Sequence, residues 1–372
     1  MNLAEVLVYA DIGQLHQIAS HYGYEGNLHS KNELITTLMT RLRHSQTITH
    51  EVEQLSSVDT HFLLLLFLDK RDRLTLEDLL AKASMALPDG EEQKKEAARK
   101  QVAIAIKRGW LFPAKGNLIG QYQIPADLRE PYIQAWLTLW RGQQEPIPYE
   151  PLAYRDEGTA MCDDIMLFLQ FLAKEPVPLT ADGGMYKRYQ VQLLEFLSVK
   201  EEPLPPQKWR FGYGLHFDLY PDRFSLLYDF CYYHRWIEEI SGRLEITESG
   251  AERFAETYTD QTYHDLVRFW MRLYKRAIPN LPLLTQLIPR MATSRWISQE
   301  RLSQTLLPWI KPFYYDKPED ILVTRILKMM VHLGLLKAGQ AEDGDWLYTG
   351  TYASQSWMKQ YNGFVDTTIT MK

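Results

Sequence analysis

The chain has 372 residues, more than one hydrophobic core usually supports, so about two to four domains are expected. A hydrophobic share of 45% with 24% charged residues excludes wholesale disorder. The balance of 41 basic to 47 acidic residues, net −6, excludes coating of nucleic acid by bulk charge but leaves room for a local basic face.

Residues 1 to 50 read as a small helical unit. Val6, Leu15, Ile18 and Ala19 share a helix face, and Gly23 and Gly26 then break the pattern. Ser30-Lys31-Asn32-Glu33 is a capping box for a second helix that buries Leu34, Ile35, Leu38 and Leu42. Two short helices joined by a glycine turn, with Lys31 opening the second, resemble a SAP or Rho-N-terminal element, which often touches nucleic-acid backbone. A plain helical hairpin packed on its neighbour fits the same residues.

Three later stretches repeat one order: an apolar helix, an aromatic or leucine exit, then a short alternating hairpin. The first runs from Lys94 to Gly109-Trp110-Leu111-Phe112, with its ribbon from Asn117 to Pro125. The second runs from Phe224 to Arg235-Trp236-Ile237 and the ribbon Gly242 to Thr247. The third runs from Leu322 to Gly334-Leu335-Leu336 and the ribbon Gly344 to Tyr348. A left-handed residue ends each helix, the apolar pair anchors the chain beneath it, and a glycine turn closes the ribbon. A helix followed directly by such a ribbon is the second half of a winged helix. Upstream helices are available at Asp59 to Leu68, Thr75 to Lys82 and Ser298 to Ile310.

The fold expected is therefore mainly α with small β hairpins: tandem winged-helix-like units after a SAP-like start. The boundaries are 1–50, 51–150, 151–260 and 261–372. In the third of these, Asp163 to Lys174 is amphipathic, Asp182-Gly183-Gly184 is a turn, Met185 to Leu197 starts another helix, and Pro203, Pro205 and Pro206 mark a linker. The charged run Asp89 to Lys95 reads as an exposed loop.

Within Asp163 to Leu197, a helix ending in Glu175-Pro176 is followed by Leu179-Thr180-Ala181-Asp182-Gly183 and by Lys187-Arg188 before a leucine-rich helix. With the SAP-like start and Ile124-Pro125-Ala126-Asp127-Leu128-Arg129, this resembles the N-terminal accessory region of bacterial XPB-type DNA helicases, over residues 1 to about 260. The resemblance implies a setting in bacterial DNA transactions beside helicase-like partners. It does not extend to the motor, because no Gly-x-x-x-x-Gly-Lys-Ser/Thr loop occurs to cradle a nucleotide phosphate.

No cofactor is expected, and other chemistry finds little footing. His16 and His21 are five apart with His29 beyond a glycine turn. His216 and Asp218 stand at strand spacing in the aromatic stretch Tyr213 to Tyr220, where they could meet a third ligand but a surface loop explains them equally well. No nucleophile elbow or well-placed catalytic cysteine is present, and Asp163-Asp164 and Glu238-Glu239 are adjacent residues whose side chains diverge. Cys162 and Cys231 sit in apolar helical stretches and read as buried thiols of a reducing compartment, though a disulfide between them is open. The apolar run Phe62 to Leu68 is too short to span a bilayer and Met1 to Asp11 lacks a signal-peptide pattern, so a cytoplasmic location is expected.

Basic residues recur on the expected helices: Lys94, Lys95, Arg99, Lys100, Lys107 and Arg108 before the first ribbon, and Arg325 and Lys328 near His332 before the third. Arg268, Arg272, Lys275 and Arg276 form a further stripe at three- and four-residue spacing. The DNA-contact candidates are Lys31, Arg99, Lys100, Lys187, Arg188, Arg268, Arg272, Arg325 and Lys328. Two function classes compete: a non-enzymatic DNA-binding or helicase-associated protein, and a protein–protein adaptor that uses winged helices as docking modules. The acidic balance favours the adaptor, and an enzyme of unrecognised type is the third possibility. The ten tryptophans, Trp136, Trp140, Trp236, Trp270 and Trp309 among them, read first as packing residues.

Overall fold

The computed structural model describes residues 1–24, 30–88, 90, 93–114, 120–143, 147, 150–205, 210–255 and 260–361. The described chain is mainly helical with small antiparallel sheets, and it forms two compact units, residues 1 to 146 and 147 to 360. Gly26 and residues 115–119 of the first expected ribbon lie outside the described residues.

The first unit opens with α1 (Leu3–Tyr9), α2 (Ile12–His21), α3 (Lys31–Arg43) and α4 (Ser45–Glu53). Asn2, Asp11 and Ser30 cap the first three by accepting backbone N–H groups of the first turn, which sets where each helix starts. The chain leaves α2 through Gly23 at φ +65, as the sequence pattern anticipated. There follow α5 (Ser57–Phe67), β1 (Leu74–Thr75), α6 (Leu76–Ala86), α7 (Lys94–Lys107), β2 (Phe112–Pro113), β3 (Gln121–Gln123) and α8 (Ala126–Gly142). The sheet order is β1-β3-β2, with Leu74 opposite Tyr122 and Phe112 opposite Gln123.

Residues 1–50 do not stand apart as an independent unit. α2 packs on α7, α4 packs on α8, and Gln14 donates to the Leu111 carbonyl at 3.0 Å. Two short helices cannot bury Leu15, Ile18, Leu34, Leu38 and Leu42 by themselves, and all five reach zero exposure only on the shared core. At its centre Phe67, Trp110 and Tyr132 meet edge to face, with ring centroids 5.1 to 6.0 Å apart.

The second unit contains β4 (Tyr154–Arg155), α9 (Ala160–Lys174), β5 (Val177–Pro178), α10 (Lys187–Phe196), α11 (Asp222–Tyr233), β6 (Ile237–Ile240), β7 (Arg243–Ile246) and α12 (Glu248–Ala255). It continues through α13 (Asp260–Tyr274), α14 (Leu281–Met291), β8 (Ile297–Ser298) and α15 (Gln299–Leu306). A helix then runs from α16 (Pro318–Asp320) through a π-helical stretch, Ile321–Leu327, into α17 (Lys328–His332). The last elements are β9 (Leu336–Gln340), β10 (Trp346–Gly350) and α18 (Tyr352–Gln360). The sheets are β5-β7-β6 and β4-β9-β10-β8.

The expected boundary near 260 therefore falls inside one compact unit, and α11 packs directly on α17 across it. Cys162 and Cys231 are both buried and unbonded to each other, and burial raises the Cys231 thiol well above its ordinary value.

One local design occurs three times: helix, short strand, two helices, then two strands, with the first strand paired to the last. The exit from the helix before each ribbon is the same in detail. Gly109 (φ +72), Arg235 (φ +58) and Gly334 (φ +64) are left-handed. The next N–H in each case reaches the carbonyl five residues back: Trp110 to Ala105 at 3.0 Å, Trp236 to Cys231 at 3.0 Å, and Leu335 to Met330 at 2.8 Å. Thr75 and Ser298 end their strands and cap the following helices, so strand and helix join without a loop.

Candidate nucleic-acid interface

α7 divides cleanly into an inner and an outer face. Ala98, Gln101, Val102 and Ala105 recur at three- and four-residue spacing and are buried. Gln101 is fixed by donating to Asp59 at 2.7 Å. Burial alone would raise the Asp59 carboxyl, but hydrogen bonds from Ser56 and Gln101 and the charge of Arg108 hold it below the usual range. The opposite face exposes Lys95, Glu96, Arg99, Lys100, Ala103 and Lys107, four cations against one carboxylate. Arg108 belongs to the inner face. It pairs with Asp59 at 3.3 Å and lies 4.9 Å over the Trp110 ring.

The corresponding helices of the other two repeats are arranged differently. Every residue from Asp222 to Cys231 of α11 is buried, so it has no open face over that span. The helix through Ile321–His332 is buried apart from Val323, Thr324 and Lys328. Where these helices meet, the structure places an ionic network that the sequence did not disclose. Arg223, with no exposed surface, pairs with Glu157 at 2.9 Å and Asp164 at 2.6 Å. Glu157 also meets His332 Nδ1 at 2.9 Å and Arg155 at 2.6 Å. Burial would raise Glu157, but the His332 hydrogen bond with the His332, Arg223 and Arg155 charges keeps it low. Asp222 binds Arg210 and, at 2.5 Å, Lys328.

Arg325 is a correction to the sequence reading, since its side chain points inward. It grips Asp316 with two hydrogen bonds of 2.9 and 3.2 Å, donates to the Phe211 carbonyl at 2.8 Å, and is 7% exposed. A guanidinium so held is not presented to a phosphate. Lys328 keeps an exposed stem but spends its ammonium on Asp222. Its pKa is lowered by burial and by nearby arginines, with Glu201 opposing.

The other candidates keep exposed or half-exposed side chains. Lys31 opens α3 and donates to the Val8 carbonyl at 2.9 Å. Arg99 and Lys100 share the outer face of α7. Lys187 and Arg188 open α10 exposed, Arg188 donating to the Tyr189 hydroxyl at 2.7 Å with its guanidinium 4.5 Å over that ring. On α13, Arg268 is exposed and Arg272 is half-buried, 5.6 Å over Tyr233.

The sequence disclosed none of the pairings in the buried network and hinted only that Asp222 and Arg223 stand directly against the largely apolar run Phe224 to Cys231. Among the described residues no group of three His, Cys, Asp or Glu is placed to hold a metal ion, and no helix is long and apolar enough to cross a membrane. No family model and no curated protein matches the chain.

Proposed function

We propose that the protein binds double-stranded DNA without catalysing a reaction, through the outer face of α7. The repeated order of helices and strands supports a winged-helix reading, and in the common DNA-binding type the helix before the ribbon enters the major groove. The observation that carries this reading is the exposure of Lys95, Arg99, Lys100 and Lys107 together on that helix of the first repeat. The matching helices of the second and third repeats are buried, so grip is assigned to the first repeat and scaffolding to the others. The proposed partners are DNA and, from the resemblance carried by residues 163 to 197, a helicase or other DNA-processing protein.

Four phosphate contacts correspond to a log–log salt slope of about −3 to −4. Fluorescence anisotropy of a labelled duplex across a salt series measures it. The double variant Arg99→Glu/Lys100→Glu changes two exposed side chains, and it is expected to weaken binding more than tenfold and to flatten the slope by about two. No complex at low salt, or an unaltered titration in the variant, refutes the reading.

The adaptor reading keeps one specific observation in its favour. Tyr314 and Tyr315 are 74% and 71% exposed on a tight turn closed by the Phe313–Asp316 bridge, and tyrosines so presented suit a protein partner. A helicase-type protein that binds the folded chain when duplex DNA does not would establish it.

A further inference from the structure

The residue after the left-handed helix exit is core in two of the three repeats: Trp110 is 1% exposed and Leu335 0%. In the second repeat the same position holds Trp236, which is half-buried and lines a cavity of about 260 Å³. The departure is a built feature. Arg235 occupies the left-handed position that glycine fills in the other two repeats, at a cost in backbone strain. Thr247 pins the segment by donating its N–H to the Trp236 carbonyl at 3.0 Å and its hydroxyl to the Arg235 carbonyl at 2.6 Å. Gly250 lets α12 close over that carbonyl, where a Cβ would stand only 2.0 Å away.

One wall of the cavity is aromatic. The His234 and Trp236 rings stack at 5.0 Å and 26°, and Phe230 meets both. Burial, with the charges of Arg272 and Arg253 and against that of Asp265, lowers the His234 pKa, so this wall is uncharged at neutral pH. The other wall is polar. Arg253 lies 5.5 Å over Trp236 and donates to Thr262 at 2.6 Å, while Gln261 donates to Asp265 at 2.8 Å.

We infer that this cavity takes a purine base carrying a phosphate. A cavity of about 150 Å³ holds one benzene ring, so 260 Å³ suits a two-ring heterocycle. The aromatic wall offers a stacking surface, the Asp265 carboxylate accepts from ring-edge N–H groups, and the Arg253 guanidinium matches phosphate oxygens. A free mononucleotide and an unpaired nucleotide of a DNA strand present the same chemistry; the second source rests on the DNA-binding reading above.

The test titrates the full chain with deoxyguanosine monophosphate by calorimetry, and with a single-stranded oligonucleotide containing 2-aminopurine by fluorescence. Trp236→Leu installs the residue type that the third repeat carries at this position, and Asp265→Asn keeps the shape of the polar wall. Saturable binding that weakens about tenfold in Trp236→Leu and severalfold in Asp265→Asn supports the site. Binding of the mononucleotide then identifies a free nucleotide as the ligand, and binding of the oligonucleotide alone identifies a strand. Absence of saturable binding of either probe to the folded protein, or binding that neither variant moves, overturns the proposal. The Arg99→Glu/Lys100→Glu variant separates the two readings: its duplex titration judges α7, and its mononucleotide titration is expected to match the wild type.

Discussion

Asp229→Asn is expected to change how stability depends on pH. Asp229 is 1% exposed on α11, and its Oδ1 accepts the Leu215 N–H at 3.1 Å. Among the described residues Oδ2 has no hydrogen-bond partner, and Gly214 (φ +140) closes against it so tightly that a Cβ there would stand 2.1 Å away. Burial pushes the carboxyl up to about 7, with the Leu215 N–H and the nearby His216 pulling in the opposite direction. The folded protein therefore holds a proton that the unfolded chain, ionising near 3.8, has released. The stabilisation is complete below about pH 4 and is lost as pH rises toward 7, after which it is flat. A carboxyl carried from 3.8 to about 7 makes the folded state's advantage fall by about 4 kcal/mol over the whole range. About half of that falls between pH 5.5 and 8.5. The asparagine keeps the Oδ1 acceptor and cannot ionise, so urea titrations at these two pH values should show the variant gaining about 2 kcal/mol on the wild type. Other groups titrate in both proteins and cancel in the comparison. A stability difference that stays constant from pH 5.5 to 8.5 refutes the assignment.

Two further substitutions probe the repeat design. Arg235→Gly relieves a left-handed backbone that glycine adopts freely in the other repeats, and thermal unfolding should show a gain of about 1 kcal/mol; a loss would mean that the Arg235 side chain holds more than its backbone costs. Arg223→Met leaves Glu157 and Asp164 buried without their shared cation and should cost about 3–5 kcal/mol by denaturant titration. Adding Glu157→Gln and Asp164→Asn to that variant should recover most of the loss, and a failure to recover would locate the damage in packing instead of charge.

Local signals made the repeat visible. Left-handed exits followed by apolar pairs, and glycine turns between alternating residues, are short-range chemistry, and a helix followed by two short strands appears three times. The first pair, however, is Phe112–Pro113 with Gln121–Gln123, and residues 115–119 of the expected ribbon lie outside the described residues. The first strand of each repeat was harder to see. β1, β5 and β8 are two residues long, too short for alternation to register, and they exist because β3, β7 and β10 offer them an edge. Thr75 and Ser298 were legible only as the starts of upstream helices, while their pairing partners lie 46 and 49 residues away (Thr75 with Gln121, Ser298 with Leu347).

Of the candidate basic residues, Arg99 and Lys100 lie outward because Ala98, Gln101, Val102 and Ala105 fix the rotation of α7. That pattern was written in the sequence. The inward turn of Arg325 was not, because its partner Asp316 and the Phe211 carbonyl come together only through packing of separate segments. The sequence by itself determined where helices begin, how they end and which face of each is apolar, since caps, turns and periodicity act over a few residues. Tertiary structure alone decided that α11 and α17 are buried among several neighbours, each other included, while α7 keeps an open face, since charge pairing and burial depend on neighbours distant in the chain.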